Sequence, residues 1–181
     1  MATYQKDANA QKAEFKEFQD TPNTSVSNYI KARLPQMGKL EDLGNIAFTA
    51  IDGREVNIEK LRGKVVLFYM WEAGFRSTVS STENGLLKLY KTYHGKGLEI
   101  IGVSTDAAGN KDKVLAFIKA QRIPWPVNFE GKDRTQNPVT KALGMNGPGV
   151  VSAMVLVDKK GKVFPLGPSM ESDIKNLLSQ K

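Results

Sequence analysis

The chain has no cysteine among its 181 residues. That absence excludes structural disulfides, cysteine-based zinc sites and thiol nucleophiles together. It has one histidine, His94, so a multi-histidine metal centre is excluded too, and no metal or cofactor is expected. No apolar run approaches the ~18 consecutive residues of a membrane-spanning helix. Residues Met1 to Lys6 lack the basic and apolar regions of a secretory leader. Since a leader is removed on maturation, location does not follow from that.

Hydrophobic residues make up 40% of the chain and charged residues 25%, a balance typical of a protein that buries a real core. The length suits one globular domain plus an appendage. The net charge is +7, and residues 1–45 are neutral, so the remainder carries the whole excess. Its basic residues, among them Lys88, Lys91, Lys96, Lys111, Lys113, Lys119 and Lys159, are scattered. Nucleic-acid binding calls for a basic stripe with interleaved aromatics. None is present, so no nucleic-acid partner is expected and the charge reads as a solvated basic surface.

Two regimes divide the chain, 1–43 and 44–181. The first is polar and rich in Ala, Gln, Lys and Glu. Its sparse apolar positions, such as Phe15 with Phe18 and Tyr29 with Leu34, fall at helical spacing. Asn23, Thr24 or Ser25 can cap its second helix and Pro35 ends it. It reads as a helical N-terminal arm, too poor in apolar residues to fold alone.

From Leu43 onward strand and helix patterns alternate. Ile46–Ala50 and Val56–Ile58 flank an Asp52-Gly53 turn and read as a hairpin. Val65–Met70 is a continuous apolar run, the pattern of a strand buried on both faces. Leu86, Leu89, Tyr90 and Tyr93 mark a helix that His94-Gly95-Lys96-Gly97 stops. Leu98–Val103 is the next buried strand, and Val114, Phe117 and Ile118 mark the helix after it. Asn137-Pro138 reads as an N-cap with proline at the first helical position. Ala153–Val157 is a strand leading through the Asp158–Gly161 turn to Val163-Phe164. Ser169 then caps a last helix with Ile174, Leu177 and Leu178 on its apolar face. The expected order is β-hairpin, βα, βα, a short α, ββ and α, with parallel pairs and an antiparallel edge.

Five segments in this order resemble the TlpA/AhpC-TSA (redoxin) branch of the thioredoxin-like superfamily. They are Asp52-Gly-Arg-Glu-Val with Leu61-Arg-Gly-Lys-Val-Val-Leu; Trp71, at the place of a Phe-Trp-Ala segment; Leu89 through Asp106; Ile123-Pro-Trp-Pro; and Leu156-Val-Asp-Lys-Lys-Gly161. The likeness covers about residues 44–180. It implies a thioredoxin-like three-layer α/β/α sandwich with a mixed central sheet and an N-terminal β-hairpin, here with an extra helical arm. It also implies a bacterial, periplasmic or cell-envelope setting.

The resemblance fails at the catalytic positions. Counted from Trp71, the family's Trp-Cys-x-x-Cys places its cysteines at Phe75 and Thr78. Counted back from Tyr90, it places them at Arg76 and Val79. The family's cis-proline falls at Ser152, with Pro148 four residues earlier; a non-proline cis bond costs ~2.5–4 kcal/mol, so a trans Ser152 is expected. In the redox fold a helix N-terminus lowers the cysteine pKa from about 8.5 to about 7 or below. The hydroxyls of Ser77, Thr78 and Ser80 do not ionise usefully there. Ser80-x-x-Glu83 has capping-box spacing, which makes Ser80 the expected N-cap with Arg76, Ser77 and Thr78 ahead of the helix. Ser77-x-x-Ser80 also keeps the Cys-x-x-Cys spacing, and Val79–Glu83 echoes a peroxiredoxin's Val-Cys-Pro-Thr-Glu.

Sharper roles are set against plainer ones. Arg76, Ser77 and Thr78 by a helix start suit an anion or a carboxylate; capping beside a solvated arginine is the plain alternative. Glu72 and Arg76 suit acid–base partners or a salt bridge, and His94 an exposed helix end. Trp71 and Trp125 suit packing, or for Trp71 a peptide groove with Phe75, Arg76 and Ser152. The expectation is a redox-inactive domain with no catalytic residues that acts as a binding or structural module. Its protein or peptide partner would lie in the former active-site groove. The alternatives are a TlpA-like thiol–disulfide oxidoreductase or a peroxiredoxin-like antioxidant whose cysteines have been replaced, and a dimerisation module built on the arm.

Overall fold

A computed structural model describes residues 46–73, 76–146, 154–161, 163–165 and 169–180, the side chains of 76–84 and 163–165 excepted. The arm at 1–43, Phe75, Pro148 and Ser152 lie outside the described residues.

The hairpin forms from β1 (Ala47–Thr49) and β2 (Glu55–Asn57), paired antiparallel with Phe48 opposite Val56. Its loop is fixed by charge. Arg54 donates from Nε to Asp52 Oδ2 at 2.8 Å and from Nη1 to the Pro124 carbonyl at 3.0 Å. The same guanidinium holds the Asp52 carboxyl below its ordinary value, chiefly through that side-chain hydrogen bond.

The main sheet has the order β5-β4-β3-β6-β7. At its centre β3 (Val65–Trp71) and β4 (Leu98–Ser104) run parallel over seven residues, from Val65 opposite Leu98 to Trp71 opposite Ser104. Both are buried on both faces, β3 along an unbroken apolar run and β4 along one interrupted only by the half-buried Glu99. Helix α1 (Arg76–Tyr93) connects them, and a 3-10 turn at His94–Lys96 closes at Gly97, whose φ of 101° suits glycine. Helix α2 (Lys111–Gln121) leads to β5 (Val127–Phe129), which pairs parallel with β4. Helix α3 (Pro138–Ala142), then β6 (Met154–Val157) and β7 (Val163–Pro165), both antiparallel, and helix α4 (Met170–Ser179) complete the chain.

Side-chain alternation along β3 and β4 sorts the core into two layers. Val65, Leu67, Tyr69 and Trp71 face Leu86, Leu89 and Tyr93 of α1, Val114 and Phe117 of α2, and Ile174 and Leu177 of α4. Val66, Phe68, Ile101 and Val103 face the hairpin and Val139 of α3. The result is a mixed sheet between two layers.

Two of the expected caps, Asn137 and Ser169, are present. Asn137 Oδ1 accepts from Val139 N at 2.8 Å, and Ser169 Oγ accepts from Ser172 N at 3.4 Å. Two expectations need correction. Strand β5 is additional to the expected order. It follows two prolines, spans three residues and has buried Asn128 at its centre, so no apolar period marks it. It exists because neighbours meet its backbone: Gly102 N donates to the Pro126 carbonyl at 3.0 Å and Ile51 N to the Val127 carbonyl at 2.9 Å. The second correction is that α1 begins at Arg76, so Ser80 lies inside the helix and is not its cap. Hydroxyl residues favour caps over helix interiors, so a run of them reads as a start, yet the first turn also tolerates them because its N–H groups lack helical partners.

Gly102 is closely hemmed in within the central sheet. A Cβ there would lie 3.0 Å from Trp71 Nε1, 3.2 Å from Val127 Cγ2 and 3.3 Å from Tyr69 Cε1. Gly102→Ala should therefore lower stability by about 1–3 kcal/mol through overpacking, read as a lower urea midpoint at unchanged slope. An unchanged midpoint would show that the site has slack the packing does not reveal.

Candidate functional site

Because β3 and β4 are parallel and in register at their ends, the loops that follow them emerge side by side. Trp71 and Ser104 are register partners. One step later, Thr105 N donates to the Trp71 carbonyl at 3.0 Å, so the chain remains paired just past the strands. From this end of the sheet the chain runs on to α1 at Arg76.

A buried carboxylate ties the two loops together. Asp106 is only 1% exposed. Its Oδ2 accepts from Ala73 N at 3.0 Å and from Ser104 Oγ at 2.9 Å, and its own N–H donates to Ser104 Oγ at 3.3 Å. A buried carboxylate is tolerated only where donors compensate its lost hydration, and these bonds supply them. Asp106 therefore fixes the backbone at Ala73, directly before the segment that leads into α1. Sequence reasoning did not single it out. The available signal was a charged residue two positions past a mostly apolar strand, a placement that asks for partners if it is buried.

Of the expected groove residues, the structure locates some. Trp71 is 5% exposed, with its ring tilted against Phe117 at a centroid distance of 4.9 Å. Its indole is packed, and only a thin edge reaches solvent. Its Nε1 is a buried donor without a hydrogen-bond partner among the described residues. Arg76 is the first residue of α1, and Ser77, Thr78 and Val79 lie in its first turns rather than ahead of it. No acidic residue occupies that first turn.

Other sharp candidates settle elsewhere. His94 stands in the turn after α1, at the opposite end of that helix, with its ring on Tyr90 and its Nδ1 3.1 Å from the Leu98 carbonyl. Trp125 is 1% exposed and donates from Nε1 to the Tyr69 hydroxyl at 3.1 Å. No group of three or more metal-ligating side chains occurs among the described residues, and no described helix is long and apolar enough to cross a membrane.

The Asp106 clamp makes a testable claim. Asp106→Ala should cost about 1–3 kcal/mol, as expected when a buried donor loses its partner, and should speed hydrogen exchange at the Ala73 amide. Asp106→Asn keeps an accepting oxygen and should retain most of that protection. Unchanged Ala73 exchange in the Ala variant would remove Asp106 from this role.

Comparison with known proteins agrees with this geometry. The chain is 28% identical over 128 residues to the thiol-disulfide oxidoreductase ResA of Bacillus cereus, covering 71% of this chain and 67% of that protein. It is 33% identical over 115 residues to the chloroplastic peroxiredoxin Q of Triticum aestivum, covering 62% of this chain and 50% of that protein. In fold it is similar to the thioredoxin domain of a thiol-disulfide oxidoreductase from Bacteroides vulgatus, at TM-score 0.59 and 24% identity, over 74% of this chain and 93% of that one. Residues 41–164 match the AhpC/TSA family model. With the sheet order, the two core layers and that match all in agreement, the chain belongs to the AhpC/TSA family, as a member that contains no cysteine.

Proposed function

We propose that this protein is a binding or structural module that has kept the family's scaffold and given up thiol–disulfide chemistry. The observation that carries the reading is the empty thiol inventory. Neither Phe75 with Thr78 nor Arg76 with Val79 supplies a cysteine, and none stands elsewhere in the chain. Exchange proceeds by attack of a thiolate on a disulfide sulfur, so no rearrangement of loops restores it.

What remains is a shaped end of the sheet. The Asp106 clamp holds the backbone at Ala73, and α1 starts at Arg76 without an acidic residue in its first turn. A partner with an extended segment and a carboxylate or other anion suits such a surface, through backbone N–H groups and the Arg76 charge. Phe75 and the loop at Ser152 complete the proposed groove. Residues 1–43 are proposed as an arm appended to the domain at 44–181. The cell-envelope setting rests on the family resemblance.

A second reading has one specific support. The Ser77-x-x-Ser80 spacing matches a Cys-x-x-Cys pair with both thiols replaced by hydroxyls, and the oxidoreductase relative lends it a precedent. Ser77→Cys with Ser80→Cys restores that pair directly, and two further cysteine-restored chains test the registers counted from Trp71 and from Tyr90. Phe75→Cys with Thr78→Cys places the first thiol just before α1; Arg76→Cys with Val79→Cys places it on the first residue. A competent scaffold gives one pair a thiol pKa below the usual ~8.5 and insulin-disulfide reduction.

The groove itself is tested by photocrosslinking in the source cells. A benzophenone side chain at position 75 should give a discrete protein adduct, and the same group at the exposed Leu115 should not. Equal labelling from both positions would count against a groove at this end of the sheet.

A further inference from the structure

Both tryptophans of the chain and two of its tyrosines lie on one string of rings. At its inner end Trp71 packs on Phe117 at 4.9 Å. Trp71 Nε1 and Tyr69 Cε1 flank Gly102, 3.0 and 3.3 Å from the point where a Cβ would stand. Tyr69 meets Trp125 edge-on, with centroids 5.9 Å apart and the 3.1 Å hydrogen bond between them. Trp125 meets Tyr90 at 5.5 Å, and Tyr90 stacks on His94 at 4.3 Å.

The outer end is built differently from the inner one. The Tyr90 hydroxyl lies 3.5 Å from His94 Nε2 and 3.5 Å from Glu99 Oε1. His94 Nδ1 faces the Leu98 carbonyl, which can only accept. In the neutral ring Nδ1 therefore carries the proton and Nε2 the lone pair, by assignment from the hydrogen bond. Glu99 is also held by Lys64 Nζ at 3.2 Å, and Arg54 bears electrostatically on Tyr90. Tyr90 thus has two proton acceptors beside it.

In a chain without thiols, indole and phenol are among the side chains most easily oxidised by one electron. Transfer between rings falls off steeply with distance, so rings in contact, or only as far apart as Trp71 and Tyr69 are across Gly102, exchange electrons readily. A phenol is oxidised near neutral pH only as its proton leaves, which favours a tyrosine with an acceptor in reach. We propose that this string is a one-electron conduit that carries an oxidising equivalent from Trp71 or Trp125 to Tyr90 at the surface.

The balance is as follows. A one-electron oxidant, such as a peroxyl or metal-derived radical, takes one electron from an indole. Tyr90 supplies the replacement electron, and its phenolic proton passes to His94 Nε2 or to the Glu99 carboxylate, leaving a neutral tyrosyl radical. An external one-electron reductant, such as ascorbate or a small thiol, returns the electron and the proton comes back. Burial, and after it the Glu99 carboxylate, raise the Tyr90 phenol above its ordinary value, so the proton leaves with the electron and not before it. This chemistry is separate from disulfide exchange and shares only Trp71 with the proposed groove.

Laser photoionisation of the tryptophans in the intact protein tests the conduit. The tryptophanyl absorption should decay as the tyrosyl absorption rises, at a rate independent of protein concentration. Tyr90→Phe should slow that transfer by at least an order of magnitude. Tyr93→Phe should leave it unchanged, because Tyr93 is outside the string and donates to Glu171 Oε1. Spin-trap adducts on the wild-type chain, mapped by mass spectrometry, give a reading that no variant's folding can confound, and should fall on Tyr90. Transfer at the wild-type rate in Tyr90→Phe, a rate that scales with concentration, or adducts on Tyr69 or Tyr93 in place of Tyr90 would overturn the proposal.

Discussion

Parallel pairing of β3 with β4 is the constraint on which the rest of the molecule depends. The seven-residue register sets Trp71 beside Ser104. Because the strands point the same way, the connections that follow them leave from one end of the sheet. In parallel α/β sheets that end is where ligands are generally bound. Here it brings Ala73 within hydrogen-bond distance of Asp106. The same alternation fills one face with α1, α2 and α4 and the other with the hairpin and α3. A slip of one residue along either strand would exchange the two cores and separate the clamp.

Loss of the thiols leaves this frame intact because the frame never relied on them. The clamp uses a carboxylate, a hydroxyl and backbone N–H groups. The hairpin loop is held by Arg54 on Asp52 and on Pro124. The central strands are buried on both faces by aliphatic and aromatic side chains. A family scaffold can therefore persist where its two-electron chemistry does not. It can also carry features unrelated to that chemistry, of which the string of rings from Trp71 to Tyr90 is one.

Much of the fold was legible in the sequence, for physical reasons. Val65–Met70 is apolar without interruption and Leu98–Val103 is apolar apart from Glu99 near its start, the pattern of doubly covered strands. Asn137-Pro138 and Ser169 carry cap chemistry that needs no tertiary context, and both caps form. Strand β5 was not legible, since its pairing is dictated by Gly102 and Ile51 from elsewhere in the chain. The start of α1 was misplaced by five residues, at Ser81 behind a Ser80 cap where the helix begins at Arg76, because hydroxyl side chains suit a cap and a first turn alike. Asp106 was visible only as a charge just past a mostly apolar strand; that it reaches across to Ala73 depends on the β3–β4 register. The groove positions were named by resemblance, and among them Trp71 packs into the core, with its ring on Phe117.

The central claim is that an AhpC/TSA scaffold persists here without thiol-dependent turnover. Incubating the unmodified chain with a thiol reductant and either insulin or hydrogen peroxide tests it most directly. The account predicts disulfide reduction and peroxide consumption no faster than in buffer with reductant alone. Turnover proportional to protein concentration in either assay would contradict it.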